Sequence, residues 1–163
     1  MAAARFEEAI EKEIARGLRY GSSSALALFE VAIADHGQLE RLPSPAAFVA
    51  QVLRLAVRGA DVLARRVSPN LFAALLVEAR GDGPSKFTER VGTGIGSHPY
   101  GRRPDGAALC ARAWSGVAQW EPSMNSVGAY AGAARDRARQ HLPWLRGCAA
   151  RFRGEGMNKP FIA

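Results

Sequence analysis

SSSALALFEVAIADHG, residues 22–37, holds the choice on which the fold turns. From position 25 to position 34 every side chain is apolar except Glu30. Such a run suits a buried helix or a buried strand, since neither shows a polar face. Its alanines favour the helix, because alanine is the best helix former and is depleted in strands. Ser22 to Ser24 supply capping hydroxyls, and Asp35-His36-Gly37 supply a stop. The segment therefore reads as a buried helix, too short for the roughly 20 residues of a membrane span.

The flanking segments carry the same reading further. Phe6, Ile10, Ile14 and Leu18 recur at four-residue spacing, so residues 5–18 are predicted helical. After a proline-flanked turn, Ser44 stands as N-cap and Pro45 as first helical residue. Polar Gln51, Arg54, Arg58, Asp61 and Arg65 then alternate at three and four, which predicts an amphipathic helix over 45–65. Ser68-Pro69 repeats the start signal ahead of an apolar helix over 70–80. Residues 81–106 hold seven glycines and three prolines, and read as a long loop. Helical spacing resumes from Asp105 through Leu109, Ala113, Val117 and Trp120. A last helical region begins at Ser126, with Pro143 as its kink, and residues 154–163 read as an extended tail. The expected fold is all-α: a single compact domain of about six helices over 1–153, with the glycine-rich loop 81–106 and a C-terminal tail.

Composition narrows the function classes. Apolar residues make up 48% and charged residues 23%, which excludes wholesale disorder and fibrous repeats. Glu7, Glu8, Glu11 and Glu13 oppose the cationic head of a signal peptide, so a cytoplasmic chain is expected, without a membrane partner. Cys110 and Cys148 read as free thiols, and with His98 and His141 they lack the close ligand pairs of a zinc site. No metal, cofactor or catalytic constellation is expected. The net charge of +7 lies mostly after residue 80, and all but three of the 22 cations are arginines.

On a helical wheel Arg135, Arg139, Arg146 and Arg153 form a cationic stripe, supplemented by Arg102, Arg103 and Arg112. Such a row suits the phosphates of a nucleic acid without reading bases. Tyr100, Trp114, Trp120, Tyr130 and Trp144 are aromatics able to stack on exposed bases. Met157, Phe161 and Ile162 in the tail suit docking on a neighbouring subunit. The expected function is a non-catalytic subunit of a nucleoprotein assembly, with nucleic acid and other protein subunits as partners. The alternatives are a structural adaptor of a ring or shell, and a small enzyme using the loop from Gly92 to Arg103.

Overall fold

The computed structural model describes residues 3–33, 45–56, 62–68, 70–102, 105–106 and 108–140. The first helix forms as its periodicity requires: α1 (Ala3–Tyr20) buries Phe6, Ile10 and Ile14 along one face. The all-α expectation fails at the next element. Residues Ser24–Ile33 are a strand, β1, and four further segments read as helix or loop are strands as well.

A five-stranded sheet is built on β1. On one edge it pairs antiparallel with β3 (Leu71–Val77), and on the other with β5 (Ala108–Gln119). Beyond these lie β2 (Val62–Ser68) and β4 (Pro99–Arg102), giving the order β2-β3-β1-β5-β4. Two helices cover each face. Ala25, Ala27, Phe29 and Val31 of β1 face a core shared with α2 (Pro45–Ala56) and α3 (Gly83–Ser97). Leu26 and Leu28 face the opposite core, built with α1 and α4 (Val127–Gln140). The architecture is α+β, with one sheet between two helical layers.

The physical reason for the misreading is clearest in β1 and β3. A strand buried on both faces has no apolar–polar alternation, so only length and composition separate it from a buried helix. In β1 the small residues fall where α2 and α3 approach, which is a packing requirement and carries no helix preference. The helix expected over 45–65 stops at Ala56, and β2 starts at Val62. The apolar run 71–77 is β3, and the segment from 108 is β5. The expected loop 81–106 contains α3 and β4. Its glycines answer a packing need in part: a Cβ at Gly94 would come within 2.8 Å of Val52 Cγ1, so α2 and α3 meet there. The tail 154–163, and everything from 141 onward, lies outside the described residues. Among the described residues no helix is long and apolar enough to cross a membrane.

The tightest junction is between α4 and β5. A Cβ on Gly116 would strike the Ala138 backbone nitrogen and lie 2.5 Å from the Ala134 carbonyl oxygen. Nearby, the Tyr130 hydroxyl and Ser24 Oγ are 3.1 Å apart, both residues buried, fastening α4 to the start of β1. Burial pushes the Tyr130 phenol upward, so it stays neutral. Gly116→Ala is expected to destabilise the domain by about 3 kcal/mol, because backbone rather than a movable side chain is in the way. Tyr130→Phe is expected to cost about 1–2 kcal/mol by orphaning the Ser24 hydroxyl. Urea unfolding followed by far-ultraviolet circular dichroism measures both, and equal stability of Gly116→Ala and wild type contradicts the junction.

Candidate functional site

Between Ser24 and Ile33, β1 carries one charged side chain, Glu30. It is paired across the sheet with Leu71 of β3 and Trp114 of β5. Side chains directly opposite in an antiparallel pair share a face. Glu30 therefore lies on the α1/α4 face, in line with Leu26 and Leu28 but beyond them. The Asn70 carbonyl, where the chain turns from β2 to β3, accepts a 2.8 Å hydrogen bond from the Val31 backbone N–H, which brings that turn beside the same end of β1.

Glu30 is half-buried, and burial alone pushes its carboxyl above the usual range. No hydrogen bond or ion pair joins it to another described residue. The other inward carboxylate is treated differently. Glu13 is buried, and its Oε1 accepts a 2.8 Å hydrogen bond from Arg16 Nη1. A desolvated, unneutralised carboxylate at a sheet end is the kind of group that marks a site. In the amino-acid sequence the one signal of Glu30 is that it interrupts an apolar run.

Cations stand on the same face. The α4 residues Ala134 and Ala138 press on Gly116, two positions along β5 from Trp114, or about 7 Å. Arg135 follows directly on α4, half-buried and without an ion pair among the described residues. Arg112, opposite Ala32, is exposed. The expected stripe is thus described only in part. Arg135 and Arg139 share α4, whereas Arg146 and Arg153 lie outside the described residues, as do Arg103, Met157, Phe161 and Ile162. Arg102 is on β4, where its Nη1 donates to the Gly106 carbonyl at 3.0 Å. Arg137 of α4 donates to the Val117 carbonyl at 3.2 Å.

Most of the aromatics are used elsewhere. Tyr100 packs edge-on against Phe48 with centroids 5.6 Å apart, and Trp120 donates its indole N–H to the Met124 carbonyl at 3.1 Å. His98 caps α3, its Nδ1 lying 2.8 Å from the Gly94 carbonyl oxygen. Among the described residues no three His, Cys, Asp or Glu side chains cluster to hold a metal ion.

The fold as a whole superposes on solved structures. The fold resembles that of GGDEF domains. The diguanylate cyclase SiaD of Pseudomonas aeruginosa, solved with its activator SiaC, superposes with a TM-score of 0.68 at 18% identity, over 85% of this chain and 53% of that one. This chain thus spans about half of the SiaD chain. The GGDEF domain of DgcB from Caulobacter crescentus, in complex with c-di-GMP, gives a TM-score of 0.68 at 17% identity, covering 87% and 83% of the two chains. The active GGEEF domain of a diguanylate cyclase from Vibrio cholerae gives 0.68 at 12% identity, covering 83% and 87%. No protein-family model and no curated protein matches the sequence.

These likenesses correct the functional expectation together with the fold. The helical nucleoprotein subunit is overturned, because the chain has the α+β fold on which the diguanylate cyclase domains among these structures are built. The expectation of a chain without catalytic capacity is overturned by the same finding, since SiaD and the Vibrio cholerae domain are diguanylate cyclases.

A raised carboxyl has a defined pH signature. The folded form holds its proton to higher pH than the unfolded chain, so stability falls as pH rises from the ordinary glutamate range through the raised value. Glu30→Gln is expected to raise the melting temperature at pH 7 and to lose that advantage near pH 4. A melting temperature lowered equally at both pH values contradicts a desolvated, unpaired carboxylate.

Proposed function

We propose that this domain binds a guanine nucleoside triphosphate at the Glu30 end of the sheet and catalyses cyclic-di-GMP formation, as a nucleotidyl-transfer domain of the GGDEF type. The observation that carries the reading is the placement of an unneutralised, half-buried carboxylate at one end of a GGDEF-like sheet, beside the β2–β3 turn and on the face that α4 covers. Arg135 supplies positive charge for the phosphates, where a guanidinium fork suits two phosphate oxygens at once. A magnesium ion would arrive with the triphosphate and take one protein carboxylate, which is an ordinary arrangement for that ion. Glu30 fits that place, and the ion would supply neutralisation of phosphate charge.

The five residues Gly-Gly-Asp-Glu-Phe that name these domains occur nowhere in this chain, and no two glycines are adjacent. The nearest string at a turn is Ser68-Pro69-Asn70-Leu71-Phe72, between β2 and β3, which has the phenylalanine and neither acid. Two metal ions clamped by several carboxylates stabilise both attacking and leaving oxygens, whereas one carboxylate holds less charge in place. Turnover is therefore expected at the slow end of the enzymatic range and is best followed with protein stoichiometric to substrate.

Incubation with GTP and Mg²⁺ or Mn²⁺, followed by chromatography, should yield c-di-GMP and pyrophosphate. Glu30→Gln should lower the single-turnover rate about 100-fold, and Arg135→Ala should weaken GTP binding about 10-fold. Absence of product from the wild-type protein under single-turnover conditions contradicts the cyclase reading.

A further inference from the structure

We draw no further inference here: the strongest candidate, the cavity of about 390 Å³ between α1 and β3 lined by Arg5, Lys12, Glu13 and Leu75, carries nothing, because the unpartnered Oε2 of Glu13 is itself buried rather than open to that space and nothing in the structure shows what would fill it.

Discussion

Burial of β1 on all four sides is the constraint from which the rest of the structure follows. Its two edges are taken by β3 and β5, and its two faces by α2 with α3 and by α1 with α4. A strand so enclosed can bear no ordinary charged residue along its middle, and between Ser24 and Phe29 it bears none. The helices can approach only where side chains are small. Alanines at 25 and 27 serve α2 and α3, and Gly116 opposite Leu28 serves α4. Because interiors pack at crystal-like density, each of these small residues sets a distance that nothing else in the chain can adjust.

Glu30 acquires its character from that enclosure. It stands two residues beyond Leu28, the last buried position before it on its face, where water is scarce and no cation compensates it among the described residues. Elsewhere the protein handles acidic groups conventionally. Glu8 pairs with Lys12 at 2.7 Å and Asp82 with Lys86 at 2.7 Å, both at the surface and both at helical spacing, where such pairs contribute little. Glu7 lies 3.4 Å from Arg65, tying α1 to β2. Against that background an uncompensated carboxylate is costly to folding and is best explained by what it does with a ligand. The arginines are distributed over different elements, Arg135 on α4 and Arg112 on β5, rather than in one described row along a single helix.

How much of this was legible from the chain depended on the environment of each segment. The α1 helix could be read directly, since Phe6, Ile10 and Ile14 face the core while Glu8, Glu11 and Lys12 face water. The start of α2 at Pro45 was equally clear. Its end was not, because the three-and-four spacing of polar residues continues by coincidence into β2, where Arg65 and Arg66 alternate as strand residues do. Glycines 92, 94 and 96 suggested a loop, yet α3 runs through them, held by Phe87, Val91 and Ile95 in the core. Packing outweighed the local preference of glycine, which is about 1 kcal/mol per residue.

The amino-acid order by itself determined where amphipathic helices begin, where the chain carries excess arginine, and that one carboxylate interrupts an otherwise apolar run. Only the tertiary structure decided that 24–33, 71–77 and 108–119 are strands, because a segment covered on both faces loses the periodicity by which strands and helices are told apart. It also decided that Glu30, Trp114 and Arg112 share one face of the sheet. Register between β1 and β5 is set by which side chains fit the two cores, and shifting it by one residue would turn every one of them to the opposite face.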